Sequence, residues 1–264
     1  MNNSSAPIGV LDSGIGGFSV VTKLRERLPN EDIIYFGDNA HCPYGSKNEN
    51  EVIGLTQKIA DFMYEQKVKA IVIACNTIST QIKNLNSHDI PVIEIIGPVC
   101  RGFSIATPRS VGIIATPLTT KTRVYETKLK EENPTLTTMG AASTNLASLI
   151  EQGDFESSDI YNELMSAMKP ILDNDIRHVI WGCTHYSLVA KKFKDLFPQI
   201  TFYDPAVFQA GELKELLTTC RIANLQDKEG SFSLYTSGSA SSAIAAMKRL
   251  NLHHPDKITE NMLL

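Results

Sequence analysis

Short apolar, β-branched runs recur along the chain at 8–12, 32–37, 69–74 and 91–96, and the stretches between them carry apolar residues at helical spacing, as in Val20, Leu24 and Leu28. A pattern that switches repeatedly between buried strand and amphipathic helix predicts parallel βαβ units. The pattern then restarts. Ser110–Thr116 resembles the opening strand, and 177–182 resembles 69–74. Gly9 and Gly112 in the opening strands are 103 residues apart, and Cys75 and Cys183, which close the other pair, are 108 apart. Near-equal offsets predict two similar parallel-sheet α/β domains facing each other across a central cleft. A late strand-like run at 231–236 and an Ala-rich helix from about 240 to 250 are expected to return to the first half. The expected organisation is therefore a first α/β domain of residues 1–97 plus 207–264 and a second of 98–206, divided near Gly97–Pro98.

The 264 residues suffice for two modest cores. Formal net charge is −4, and no stretch gathers enough Lys and Arg to track a phosphate backbone, which argues against nucleic acid as a partner. The five cysteines are odd in number and scattered, which argues against a disulfide framework and for a reducing cytosol. None forms a CxxC pair, so no metal site is expected. Met1–Pro7 lacks the basic start and apolar run of an export signal, and no segment approaches 18 uninterrupted apolar residues. A cytoplasmic protein with no membrane partner is the expectation.

Candidate chemistry gathers at the strand ends. Cys75 and Cys183 each close an apolar run and are followed at once by a small polar residue and a helix start. Open α/β sheets place their ligands there. A lone buried cysteine is usually a small core residue; two in matched settings suggest one site with opposed thiols. Asp12–Gly17 tempts a dinucleotide-binding reading, but the third glycine position is Ser19 and Asp12 would aim a carboxylate at the pyrophosphate. The glycines are expected to free backbone N–H groups for a small carboxylate, with Asp12 kept for an ammonium group or proton traffic. His41 and Cys42 look like a base and a nucleophile, but neighbours on an extended loop point apart. Both are expected to be structural or rim residues.

Four motifs in order, DSGIGG at 12–17, GDNAHCPYG at 37–45, ACNT at 74–77 and GCTHY at 182–186, resemble the cofactor-independent glutamate racemases of the aspartate/glutamate racemase superfamily. The resemblance runs from about residue 8 to 236. It implies interconversion of L- and D-glutamate, supply of D-glutamate for peptidoglycan, a homodimer and no cofactor. It further implies Cys75 and Cys183 as the catalytic acid/base pair, with Asp12 and His185 assisting and Glu151 as a further acidic residue of the site. Substrate contacts carry over to Ser13, Pro43, Tyr44, Gly45, Asn76, Thr77, Thr119 and Thr184.

Inverting an α-carbon needs a base on one face and a conjugate acid on the other, so one cysteine must be thiolate while the other is thiol. A pyridoxal enzyme would need a Schiff-base lysine, and none lies in the four motifs. Positioning, exclusion of water and donors aimed at the substrate carboxylate must then supply the catalysis. An aspartate or other two-cysteine racemase is the alternative enzyme. A non-catalytic amino-acid-binding or regulatory protein on the same scaffold is the alternative from another class.

Overall fold

The computed structural model describes residues 4–103 and 108–261; the first three residues of the polar tail lie outside them. The first half runs β1 (Ile8–Asp12), α1 (Phe18–Arg27), β2 (Ile33–Gly37), α2 (Glu49–Glu65), β3 (Ala70–Ile73), α3 (Asn76–Ser79) and β4 (Val92–Glu94), with single 3-10 turns at Asn39–His41 and Tyr44–Ser46 between β2 and α2. After α4 (Ile96–Gly102) come β5 (Ser110–Ala115), α5 (Pro117–Thr122), α6 (Val124–Glu132), β6 (Thr137–Ala142), α7 (Leu146–Glu151), α8 (Ser158–Asp173) and β7 (His178–Gly182). The chain ends with α9 (Thr184–Leu188), α10 (Ala190–Leu196), β8 (Thr201–Tyr203), α11 (Pro205–Thr219), β9 (Phe232–Thr236), α12 (Ala240–Arg249) and β10 (Lys257–Glu260).

Two parallel sheets result, in the orders β10-β9-β2-β1-β3-β4 and β6-β5-β7-β8. The block β2-β1-β3-β4 has the same order as β6-β5-β7-β8, so the restart read from the sequence is a repeat of topology. In each half the chain winds first to one side of the opening strand and then to the other. Cys75 follows β3 and Cys183 follows β7, which are equivalent strands beside that switch point.

The central strands are almost wholly apolar, apart from Asp12 at the end of β1, because helices cover both faces. All residues of β1 and β3 are buried, and β5 is buried from Val111 onward. The strands absent from the sequence reading, β6, β8 and β10, are sheet edges. They are partly exposed and mix Thr, Lys and Glu with their apolar residues, which weakens a strand signal. The expected strand at 91–96 is shorter. The Glu94 carboxylate accepts from the N–H groups of Ile96 (2.5 Å) and Gly97 (2.8 Å) and turns the chain into α4, which contains Gly97–Pro98. At the second crossing, Asp204 caps α11 by accepting from the Ala206 N–H, with Pro205 in the first turn. α11 then packs on α1 and α4, and the buried Gln209 amide donates to the carbonyls of Ile73 (2.9 Å) and Ile93 (3.0 Å) in the first sheet. No helix of the described residues is long and apolar enough to cross a membrane.

Candidate active site

The carboxyl ends of β1, β3, β5 and β7 converge where the two sheets meet. Cys75 and Cys183 each sit at the residue before a short helix, on extended backbone, and are only 5% and 6% exposed. The Cys75 sulfur lies 3.5 Å from the Ser13 hydroxyl. Burial, then the charge of Asp12 and, as a smaller cause, that of Cys183 push the Cys75 thiol up to about 12. The two sulfurs therefore share one electrostatic environment, and with protein groups alone around it Cys75 rests as the thiol.

The Cys183 sulfur faces His185 Nδ1 at 3.7 Å, and the Nε2 of that ring lies 2.7 Å from Glu151 Oε2. Burial opposes a charge on the imidazole, but its hydrogen bonds with Cys183, Cys42 and Glu151 outweigh that cost and hold His185 well above the usual histidine range. Burial likewise works against the Glu151 carboxylate. The His185 bond, with donation from the Ile15 N–H (2.9 Å) and the Asn39 side-chain amide (2.6 Å), brings it below its ordinary value instead. Glu151 belongs to the second half, and Ile15 and Asn39 to the first, so this carboxylate bridges the cleft.

Asp12 is wholly buried. One oxygen accepts from the Gly14 N–H at 2.9 Å and the other from the Thr184 hydroxyl at 3.2 Å. Burial raises its carboxyl to about 6, although His185 opposes the shift. The glycine-rich loop thus spends the N–H groups of Gly14 and Ile15 on the protein's own carboxylates rather than leaving them free. Its other service is space. A Cβ on Gly16 would lie 2.5 Å from Thr184 Oγ1 and 2.6 Å from His185 Nδ1.

On the far side of Cys75, the Thr77 hydroxyl meets those of Thr116 (3.0 Å) and Thr119 (3.3 Å), joining the halves again. Gly45 allows this approach, since a Cβ there would fall 2.4 Å from Thr116 Cβ. Asn76 is buried; its carbonyl accepts from the Tyr125 hydroxyl at 2.5 Å, and its amide Nδ2 has no hydrogen-bond partner. A buried orphan donor beside Cys75 is a place for a ligand acceptor. Tyr44 is also buried, with its hydroxyl committed to Asp38 at 2.5 Å, and Pro43 is half-buried after a cis peptide bond.

Cys75, Cys183, Asp12, His185, Glu151, Ser13 and Thr184 therefore form linked contacts around one centre, flanked by Asn76, Thr77, Thr119 and Gly45. Three neighbours are additional to the residues expected from the sequence: Asn39, Thr116 and Tyr125. Thr116 was readable as the residue after β5, equivalent to those that follow β1. His41 turns to Asp38 (2.8 Å) as a structural residue, and Cys42, half-buried on the same loop, brings its sulfur to 4.0 Å from His185 Nε2.

The profile of the Asp/Glu/Hydantoin racemase family matches residues 8–213. The glutamate racemase of Thermoanaerobacter pseudethanolicus is 34% identical over 248 residues, 93% of each chain. The crystal structure of glutamate racemase from Francisella tularensis in complex with D-glutamate superposes with a TM-score of 0.88 at 29% identity, covering 98% of both chains. A glutamate racemase isoform from Bacillus anthracis gives the same TM-score at 30% identity and the same coverage. On sequence and fold together, the chain belongs to the Asp/Glu/hydantoin racemase family and groups with its glutamate racemases.

Proposed function

We propose that this protein interconverts L- and D-glutamate by proton transfer between two thiols, and so supplies D-glutamate for peptidoglycan. The observation that carries the reading is the pair of buried cysteines at equivalent strand ends, within electrostatic reach of each other. Each sulfur serves one face of the α-carbon. In one direction the Cys75 thiolate takes the α-proton and the Cys183 thiol delivers its own to the opposite face. In the other direction the roles exchange. Both enantiomers leave one sulfur protonated and one not, so the reverse turnover starts from the forward product state.

His185, held cationic, stabilises a Cys183 thiolate, and Glu151 keeps that imidazole charged and oriented. Cys75 needs the opposite help, because the Asp12 charge disfavours its thiolate. A substrate ammonium group beside Asp12 would cancel that charge and let Cys75 ionise only when substrate is bound. Asn76, through its unpaired amide, and the hydroxyls of Ser13, Thr77 and Thr119 are the donors for the two substrate carboxylates, with Thr184, whose hydroxyl is committed to Asp12, joining Pro43, Tyr44 and Gly45 in the wall against the substrate. A carbanion without a delocalising cofactor depends on donors fixed in a dry site, and most of these side chains are buried.

The two domains are read as residues 1–97 plus 207–264 and 98–206. Sheet membership and the Gln209 anchor of α11 to the first sheet support that division. A cytoplasmic homodimer belongs to the same reading and rests on the family resemblance. Incubation of the purified protein, freed of metals and pyridoxal phosphate, with L-glutamate and then with L-aspartate tests the function by chiral analysis. D-glutamate should accumulate toward an equal mixture and D-aspartate should not. Faster conversion of aspartate, or of neither, overturns the proposal.

A further inference from the structure

Cys42 has no part in the two-thiol reaction, yet it sits among groups that make metal ligands. Its sulfur, one Glu151 oxygen and a His185 ring nitrogen all lie within 4.8 Å of one another. Cys42 reaches in from the loop after β2, while Glu151 ends α7 and His185 lies in α9, so the three donors come from opposite walls of the cleft. A thiolate, an imidazole and a carboxylate are the donors preferred by zinc-class cations, and three protein ligands leave a fourth position for water.

The spacing needs little adjustment. Bonds of about 2.3 Å to sulfur and about 2.0 Å to nitrogen or oxygen place tetrahedral donors roughly 3.3–3.6 Å apart. The Cys42–His185 separation of 4.0 Å must close slightly, and the His185–Glu151 separation of 2.7 Å must open. The outer contacts that orient metal ligands are present as well. Glu151 takes hydrogen bonds from Ile15 and Asn39, and the other ring nitrogen of His185 faces Cys183 at 3.7 Å. Cys42 and Glu151 are only half-buried, which leaves an approach from solvent.

We infer that Cys42, Glu151 and His185 form an inhibitory site for a thiophilic divalent cation of the zinc class. Binding forms one metal–sulfur, one metal–nitrogen and one metal–oxygen bond and releases the Cys42 thiol proton and the His185 Nε2 proton to solvent. The ion clamps the two walls together and ties His185 to the metal, so the imidazolium beside Cys183 is lost and substrate entry is blocked.

The inference does not depend on the substrate assignment, because cobalt(II) absorption reads the site without any turnover. The full-length protein is stripped with a chelator and titrated with Co²⁺ as the probe. One equivalent should produce a thiolate-to-cobalt charge-transfer band, displaceable by Zn²⁺. The band should vanish in Cys42→Ser and persist in Cys75→Ser, with zinc affinity in Cys42→Ser lower on the order of 10²-fold. Because Cys42→Ser could misfold, zinc X-ray absorption on the unaltered protein provides a second reading. One sulfur at about 2.3 Å with nitrogen and oxygen at about 2.0 Å agrees with the inference. Two sulfurs in the shell, as capture by Cys75 and Cys183 would give, overturn it, as do a cobalt band that survives Cys42→Ser and an absence of saturable binding.

Discussion

The half-buried Glu151 carboxylate meets the buried His185 imidazole, Oε2 to Nε2 at 2.7 Å, and so fixes the ring that faces the Cys183 sulfur. Glu151→Gln removes the charge that favours the imidazolium and leaves a single side-chain oxygen to serve both the Ile15 N–H and the Asn39 amide. The His185 pKa falls as a result. On the proposed mechanism a Cys183 thiolate needs the His185 proton, so the alkaline limb of the pH–rate profile should move to lower pH, and kcat should drop roughly 10- to 100-fold. A kcat loss without movement of the alkaline limb would assign Glu151 a purely structural role.

Asp12 couples stability to pH in the opposite sense to an ordinary paired carboxylate. Its folded-state value, about 6, lies above the reference of 3.8, so its contribution is fully present below pH 3.8 and is lost as pH rises through about 6. Asp12→Asn keeps the neutral form at every pH. The variant should match the parent near pH 4, exceed its stability by on the order of 2–3 kcal/mol at pH 8, and lose most racemase activity. Urea unfolding at the two pH values measures the gap, and a variant less stable at pH 8 would contradict this assignment of Asp12.

Gly45 and Thr116 set how closely the halves approach. In Gly45→Ala the new methyl overlaps Thr116 Cβ, an atom that cannot swing away, so the two halves must separate. The expected cost is about 1–3 kcal/mol of stability, with a rise in KM for glutamate that exceeds the fall in kcat. An unchanged KM would show that the substrate does not sense this spacing.

Tyr125 fixes the amide of Asn76 by donating to its carbonyl, which leaves Nδ2 as the free donor. Tyr125→Phe should cost about 1–2 kcal/mol and raise KM several-fold while kcat changes less. Thermal unfolding and steady-state kinetics separate the two effects, and a loss confined to kcat would move Asn76 away from substrate binding.

Much of this architecture was legible because the central strands are buried on both faces. The run Ala70–Ile73 reads as an interior parallel strand, and a thiol just after it lies at a strand end, where open α/β sheets place their ligands. The same argument found β7 and Cys183. It could not find β6, β8 and β10, whose solvent-facing residues break the apolar run. Nor could it find Asn39 or Tyr125, whose roles depend on contacts with partners 112 and 49 residues away in the chain. The expectation that His41 and Cys42 diverge was sound, since His41 turns to Asp38. Which of the two faces the cleft depends on the fold of the loop, and that is not written in its composition.

Two thiols, one to each face, make a demand that isotope exchange reads directly. Racemisation in deuterated water, sampled at the earliest turnovers from L-glutamate and separately from D-glutamate, compares α-deuterium in the product with that in the recovered substrate. The account predicts deuterium in nearly every product molecule and protium retained in the remaining substrate, in both directions. Deuterium entering recovered substrate as fast as product, or product that keeps the original proton, would mean that a single base serves both faces and would contradict the pairing of Cys75 with Cys183.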